Sequence, residues 1–269
     1  MIARLTDRTA LITGGTMGIG LATALALAER GAACVLTYRW GTANEAAVRA
    51  RFRDAGARHA PIILQADAGR EEDTERLMTA LREHVDGIDV FVSNVSAALV
   101  IRGVEDYSRR GLTRSIEYSA WPMAGYTQAI VRHFGRYPRY VIGVSSTGVD
   151  RFSAGYDFVA ASKAVLESLC RYLNARLAAH DVRVNVVRSI NVRTKAFADT
   201  FGAEFAEFAG RFLRDEHIVE PREVAGAIVG LCSGLMDGYS GQVLTVDRGM
   251  TFFDNLMRLY AEREQLGLA

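Results

Sequence analysis

This chain of 269 residues has little net charge, few cysteines and few long apolar runs. A net charge of +1, with no basic run, argues against a nucleic acid partner. The three cysteines lie far apart and the histidines show no ligand spacing, so we expect neither a disulfide framework nor a metal site. No run is long enough to span a membrane, and the N-terminus lacks a signal-peptide pattern. These absences predict a cytoplasmic protein with reduced thiols and no membrane partner.

Proline is also rare, and none of the four prolines marks a domain boundary. Short apolar runs alternate with helical stretches along the whole chain, and the apolar fraction of 49% is enough for a sizeable core. We therefore predict one α/β domain over residues 1–269, a doubly wound Rossmann-type fold with a seven-stranded parallel sheet and helices on both faces. The predicted strands are 9–13, 33–38, 61–65, 90–93, 140–144, 183–188 and 242–246. The predicted helical stretches between them are 20–30, 45–55, 71–85, 120–134, 158–178 and 221–232.

A glycine-rich turn follows the first predicted strand. Residues 13–20 read Thr-Gly-Gly-Thr-Met-Gly-Ile-Gly and lead into an alanine-rich helical stretch. Glycine lets the backbone approach an anion, and the free N–H groups at a helix start attract one. Strand, loop, helix and second strand together predict a dinucleotide phosphate site, against the alternative of an ordinary turn. Its candidate cofactor residues are Gly14, Thr16, Met17, Gly18, Ile19 and Gly20.

Two polar side chains near the middle of the chain form a candidate catalytic pair. Tyr156 and Lys163 are seven residues apart, which is about two helical turns, so we expect both on one helix face. A phenol beside an ammonium is a plausible proton donor, because the positive charge is expected to lower the phenol pKa. The alternative for Tyr156 is a tyrosine that lines the pocket without taking part in the chemistry.

The end of the second strand bears on cofactor choice. A carboxylate there is typical of NAD sites, but this chain has Arg39 and no acid before Glu45. The planar guanidinium suits a 2′-phosphate, so Arg39 predicts NADPH (NADP) as the cofactor. The alternative is a solvated surface arginine.

Taken in order, these motifs resemble the short-chain dehydrogenase/reductase family over nearly the whole chain. The glycine loop is joined by Asp67, Asn94, a Ser-Ser pair at 145–146, Ala-Ser-Lys-Ala at 161–164, Arg-Val-Asn-Val-Val at 183–187 and the segment 240–247. The resemblance implies one domain for cofactor and substrate, and members are usually homotetramers or homodimers.

The same resemblance implies roles for several residues. Ser146 takes the catalytic serine position, although a strand-end hydroxyl that only caps local backbone is its alternative. Lys163 is expected to bind the nicotinamide ribose, Asp67 the adenine, and Thr194 the carboxamide, while Asn94 begins a run that the family uses at the cofactor. The family's helix asparagine, which holds a relay water, is missing from residues 117–122, where Ser119 is a substitute that we do not favour.

One departure points to a branch of the family. Most members place tyrosine four residues before the lysine, where this chain has Val159. The longer Tyr156 spacing resembles the NADPH-using enoyl-[acyl carrier protein] reductases. Conjugate reduction puts the carbonyl oxygen two carbons beyond the carbon that receives hydride. A shift of three helical residues, about 4.5 Å, suits that separation.

We therefore expect reduction of the C=C bond of an enoyl thioester, with hydride entering the β-carbon and Tyr156 stabilising the enolate. The substrate would be carried by coenzyme A or an acyl carrier protein. The alternatives are a ketoreductase or other carbonyl reductase, and a catalytically inactive dinucleotide-binding protein.

Two C-terminal segments are expected to cover the substrate or a neighbouring subunit. A helical lid is predicted at about 194–216, and a C-terminal extension rich in apolar residues at about 251–269. Phenylalanines at 197, 201, 205, 208 and 212 form a helical stripe. Its first members, Phe197, Phe201 and Phe205, are candidate substrate contacts, unless the stripe only packs the lid onto the body. Arg188, Arg193 and Lys195 form a basic patch that would meet carrier phosphates or be solvated.

Overall fold

The structure is a computed structural model that describes residues 4–39, 44–97 and 99–268, with helix 195–212 described partly by its backbone alone. Its centre is a seven-stranded parallel sheet of order β3-β2-β1-β4-β5-β6-β7. The strands are Thr9–Ile12 (β1), Ala33–Tyr38 (β2), Ile62–Gln65 (β3), Val90–Ser93 (β4), Tyr140–Ser146 (β5), Arg183–Ser189 (β6) and Val243–Val246 (β7).

Helices connect these strands and cover both faces of the sheet. They are Gly18–Ala28 (α1), Glu45–Asp54 (α2), Glu71–Leu81 (α3), Arg109–Ser119 (α4), Trp121–Phe134 (α5), Asp157–Leu177 (α6), Lys195–Phe212 (α7), Pro221–Cys232 (α8) and Asn255–Ala261 (α9). The predicted doubly wound α/β fold is confirmed.

Alternation along the strands assigns the helices to faces. Ala10 and Ile12 of β1 point into one hydrophobic cluster, with side chains of α1, α2 and α8. Leu11 points into the other, with side chains of α3, α5 and α6. Because successive strand residues face opposite sides, continuous apolar strands require helices on both faces. The cysteines Cys34, Cys170 and Cys232 are buried and free, as expected.

All seven predicted strands are present, and the main difference lies in the helices. The predicted helix at 120–134 is α5, but α4 precedes it and was not predicted. Helix α4 is polar and contains Gly111, which disfavours helix, so its packing against α6 supplies what local preference does not. The break falls at Ala120, before Pro122, as the lack of a proline N–H requires.

The strand order reverses between β1 and β4, and this arrangement positions the site. Helical connections leave from both sides of that point, so a crevice opens at the carboxyl ends of β1 and β4. No helix among the described residues combines the length and apolar character needed to cross a bilayer.

Candidate active site

A cavity of about 430 Å³ opens at the carboxyl ends of β1, β4, β5 and β6. It brings together residues that the sequence separates by as much as 180 positions. The predicted cofactor and catalytic residues that line it are Gly14, Met17, Gly18, Ile19, Asn94, Ser146, Tyr156, Lys163 and Thr194. Arg39 and Asp67 line a second cavity, while Thr16 and Gly20 are buried behind the loop.

The glycine loop has the backbone that its composition predicts. Gly14 and Gly18 have φ values of +62° and +54°, a left-handed conformation that glycine adopts at no steric cost. No side chain caps the start of α1 at Met17, so the first N–H groups of this helix have no side-chain acceptor. The loop and the helix start therefore form a cradle for an anion at the cavity wall.

Gly20 is the tightest position behind this cradle. A Cβ there would lie 2.3 Å from the Gly14 carbonyl oxygen and 2.7 Å from Asn94 Nδ2. Asn94 cannot yield easily, because its amide donates to the carbonyls of Thr13 at 2.9 Å and Gly14 at 3.2 Å. Asn94 thus ties the end of β4 to the glycine loop.

We expect Gly20→Ala to lower the melting temperature and to weaken dinucleotide binding by about tenfold or more, because the loop must move to admit the methyl group. Differential scanning fluorimetry and a cofactor titration measure both effects. Gly226→Ala is the matched control, since a Cβ at this helical glycine meets nothing within 4 Å and alanine favours helix. Equal behaviour of the two variants would contradict the close-approach role of Gly20.

Tyr156 lies at the edge of the cavity. Its backbone is not helical, in contrast to the prediction. It is the N-cap of α6, with φ −104° and ψ 7°, and the helix begins at Asp157. A glycine at 148 gives its ring room, because a Cβ there would lie 2.6 Å from the Tyr156 ring. The expectation of two turns on one helix face is therefore wrong in detail. The cavity nevertheless brings Tyr156 and Lys163 together.

The charges of the pair also differ from expectation. Burial raises the pKa of the Tyr156 phenol, and a hydrogen bond with Ser146 only partly opposes that rise. Burial lowers the pKa of Lys163 to about 8, while the nearby Glu167 carboxylate acts in the other direction. The Lys163 Nζ donates to the Val144 carbonyl oxygen at 2.8 Å. The phenol is therefore a neutral hydrogen-bond donor at neutral pH, rather than a ready acid.

Ser146 has two contacts, one for each interpretation offered by the sequence. Its Oγ accepts from the Gly148 N–H at 3.3 Å, which caps the turn after β5. It also hydrogen-bonds with Tyr156 at the cavity. The hydroxyl therefore holds both the turn and the phenol.

A buried carboxylate that the sequence analysis missed lies directly behind the site. Glu167 is only 3% exposed and accepts from Ser145 Oγ at 2.6 Å. It also accepts from Arg188, whose Nε is 3.0 Å away, and Arg188 pairs with Asp150 as well. This network links α6 to β5 and β6 beneath Lys163. A Glu four residues after Lys163 on a largely apolar helix was the available signal.

Two members of the basic patch expected before the lid pair with carboxylates, and contact of the patch with carrier phosphates stays a prediction. Arg188 is engaged by Glu167 and Asp150. Arg193 pairs with Asp215 at 2.8 Å and Glu220 at 3.0 Å. The Arg188 guanidinium is thus neutralised inside the protein, whereas the Arg193 side chain is 56% exposed and its ion pairs lie at the surface. The side chain of Lys195 lies outside the described residues.

Arg39 and Asp67 form one cluster with Tyr118. Arg39 Nε is 2.9 Å from Asp67 Oδ2, and the guanidinium lies 4.8 Å from the centre of the Tyr118 ring. Asp67 also accepts from the Tyr118 hydroxyl at 2.9 Å and from the Gly69 N–H at 3.1 Å. A carboxylate has about four lone-pair sites, so Asp67 retains room for one more donor.

Comparison with known proteins identifies the family to which this chain belongs. A family model described as enoyl-(acyl carrier protein) reductase matches residues 14–251. Cis-4-hydroxycyclohexanecarboxylate dehydrogenase of Sinomonas cyclohexanicum is 31% identical, over 91% of this chain and 97% of that protein. The chain belongs to the short-chain dehydrogenase/reductase family. It is therefore an oxidoreductase by family.

Other members of this family resemble the chain at similar levels. 1-Cyclohexenylcarbonyl-CoA reductase of Streptomyces collinus is 27% identical over 90% of this chain and 86% of its own length. A short-chain dehydrogenase from Burkholderia cenocepacia J2315, solved in complex with NADP, superposes with a TM-score of 0.79 at 26% identity. That superposition covers 92% of this chain and 99% of the other.

This short-chain dehydrogenase/reductase has residues that fit a dinucleotide. The left-handed glycines, the uncapped start of α1 and the cavity beside them supply the anion cradle. The Thr194 side chain lies beside Gly18 of this cradle, since a Cβ on that glycine would be 3.7 Å from the threonine methyl. Ser119, offered as a relay substitute, instead accepts from the Ala97 N–H at 3.2 Å and contacts Ser96 Oγ at 3.1 Å.

The predicted lid corresponds to α7, whose helix is not continuous. Gly202 has a φ of +82° and a ψ of 168°, which interrupts the helix, so the single phenylalanine stripe is wrong. Phe208 and Phe212 do pack together, with ring centres 4.8 Å apart. Phe205 is half-buried, and the side chains of Phe197 and Phe201 lie outside the described residues. Contact of these three residues with substrate stays a prediction.

Proposed function

We propose that this protein reduces the C=C bond of an α,β-unsaturated acyl thioester with a nicotinamide dinucleotide, preferably NADPH. The observation that carries the proposal is the position of Tyr156. Its phenol lies at the cavity with Ser146 and Lys163, while Val159 occupies the usual tyrosine position and is 3% exposed. Valine has no proton to donate, so Tyr156 is the available phenol.

The chain's own residues would act at the substrate carbonyl. Tyr156 donates a hydrogen bond to the carbonyl oxygen, and this bond strengthens as negative charge develops there. Its raised pKa keeps the proton on the phenol at neutral pH, which suits stabilisation of an enolate oxygen. Ser146 orients the phenol through its hydrogen bond, and Lys163 supplies positive charge for ribose hydroxyls.

The dinucleotide would occupy the cradle and the cavity. When bound, the reduced nicotinamide would supply the hydride for the β-carbon, and solvent water would supply the proton that the α-carbon takes up as the enolate collapses. The glycine loop would hold the pyrophosphate, Thr194 the carboxamide, and Asp67 the adenine with its remaining acceptor site. Arg39 lies beside Asp67 and supports the phosphorylated cofactor, and the NADP complex of the Burkholderia relative is consistent with this choice.

Among the relatives, the Streptomyces reductase supports an enoyl thioester by its name, since a cyclohexenylcarbonyl thioester is itself α,β-unsaturated. A second candidate is reduction of a carbonyl or oxidation of an alcohol. The 31% identity to a hydroxycyclohexanecarboxylate dehydrogenase favours that alternative. Coenzyme A or an acyl carrier protein as substrate carrier, and a homodimer or homotetramer as the assembly, remain proposals.

A paired assay tests the function. We expect NADPH oxidation with a short enoyl-CoA to exceed that with the corresponding 3-oxoacyl-CoA by about tenfold or more in kcat/KM, because Tyr156 is set for the more distant oxygen. NADH should give a higher KM than NADPH. Faster turnover of the 3-oxoacyl thioester would favour the carbonyl reductase, and binding without turnover of either would favour an inactive dinucleotide-binding protein.

A further inference from the structure

A second cavity, of about 550 Å³, opens beside β3 between the turn at Asp67–Arg70 and the outer face of α4. We call it the arginine cavity, because its walls hold the guanidinium groups of Arg39, Arg70, Arg109, Arg110 and Arg114. Among the described residues, two carboxylates, Asp67 and Glu117, line it as well. The cavity therefore has a strong excess of positive charge, in a chain whose net charge is only +1.

Most of this charge has no acidic partner. Within the described part of the chain, Arg70, Arg109 and Arg110 form no salt bridge. Some arginines elsewhere pair with carboxylates, as with Arg188 and Glu167 or Arg248 and Glu223, and others are single exposed side chains, such as Arg51 and Arg53. The arginine cavity differs from both cases, because several arginines without an acidic partner line one cavity.

Helix stability does not explain these arginines. Arg109 and Arg110 are the first two residues of α4, and its first turn contains no acid. The positive end of the helix dipole disfavours cations there. The cap itself is supplied by Ser108, which accepts from the Gly111 N–H at 3.1 Å. Cations that oppose the helix dipole and gain no local interaction in return are characteristic of a functional surface.

We propose that the arginine cavity binds a phosphate group through Arg70, Arg109, Arg110 and Arg114. Guanidinium forks bind phosphate oxygens in pairs, and several can share one dianion. The cavity does not offer a stacking surface for a base, because the Tyr118 ring is covered by the Gly69 backbone and the Arg39 guanidinium. Recognition by these four arginines is therefore by charge, and the group that they bind is a phosphate.

Two sources can supply this phosphate. One is the 2′-phosphate of a bound dinucleotide, since Arg39 and Asp67 belong to both the arginine cavity and the predicted cofactor site. This source rests on the proposed function. The other is a separate phosphate-bearing small molecule, which would modulate the protein from outside the active site.

The first experiment needs no turnover. Isothermal titration of inorganic pyrophosphate into the full-length protein without cofactor is compared with the Arg109→Gln/Arg110→Gln double variant. We expect about tenfold weaker binding in the variant. The control is Arg51→Gln/Arg53→Gln, which removes the same charge from the exposed last turn of α2. Binding of pyrophosphate at the glycine loop is the same in all three proteins, so it does not alter the comparison between them.

Unchanged affinity in the Arg109/Arg110 variant would overturn the proposal, and so would an equal loss in the Arg51/Arg53 control. The second experiment separates the sources by titrating NADPH and NADH into the same proteins. Loss of NADPH affinity alone, with NADPH displacing pyrophosphate from the cavity, identifies the cofactor phosphate. Pyrophosphate binding that persists at saturating NADPH, and weakens only in the Arg109/Arg110 variant, identifies a separate ligand. Both titrations remain valid if the protein does not reduce a thioester, because neither of them measures turnover.

Discussion

Replacement of Tyr156 by phenylalanine is expected to lower kcat for an enoyl thioester by about a hundredfold or more. The ring remains, so its packing against the turn at Gly148 is kept, and only the donor to the substrate oxygen is lost. Cofactor affinity should stay within about twofold, because the interaction is made in the transition state rather than with the dinucleotide.

Stopped-flow measurement of the reductive step, with a separate cofactor titration, checks this expectation. Tyr172→Phe is the matched control, since Tyr172 is on the same helix and 71% exposed. A Tyr156→Phe enzyme with wild-type kcat would show that another group meets the carbonyl oxygen. The proposed mechanism would then fail, while the family assignment would stand.

Dinucleotide affinity is expected to fall as the pH rises through about 8, the pKa of Lys163. Below this value the ammonium is charged and can donate to ribose hydroxyls, and above it the charge is lost. Lys163→Met should bind the dinucleotide weakly and with no inflection near pH 8. Fluorescence titrations on both sides of pH 8 measure the difference. An inflection that persists in Lys163→Met would assign the titration to another group.

Glu167 provides an internal check, because its carboxylate raises the pKa of Lys163 against the effect of burial. Glu167→Gln should move the inflection to lower pH, since it removes that charge. The same linkage applies to stability. The unfolded chain holds the Lys163 proton up to its ordinary pKa of 10.5, whereas the folded chain releases it near 8. The wild type should therefore gain stability relative to Lys163→Met as the pH rises between those values.

The arginine cavity bears on the choice between NADPH and NADH. If the cofactor phosphate occupies it, then NADPH preference depends on α4 as well as on Arg39 at the end of β2. Specificity would then be shared between two segments of chain that lie far apart in sequence.

Much of the fold was determined by local patterns in the sequence. Each strand is a short, largely apolar run, and burial on both faces of a parallel sheet requires such runs. Some also have polar residues at both ends, such as Asp89 and Asn94 around β4. The glycine loop was equally local, since the positive φ values at Gly14 and Gly18 follow from residue type. Helix α4 was missed because it depends on packing rather than on its own composition.

Tertiary structure decided the chemical state of the site. Whether Tyr156 and Lys163 are charged depends on burial, on Ser146 and Val144 at the end of β5, and on Glu167 one turn further along α6. Arg188 became an internal ion-pair partner for the same reason. Electrostatic free energies depend on distance and solvent exposure in space, and a one-dimensional sequence does not contain these quantities. The sequence by itself determined which groups are present, and folding determined which of them meet and what charge they hold.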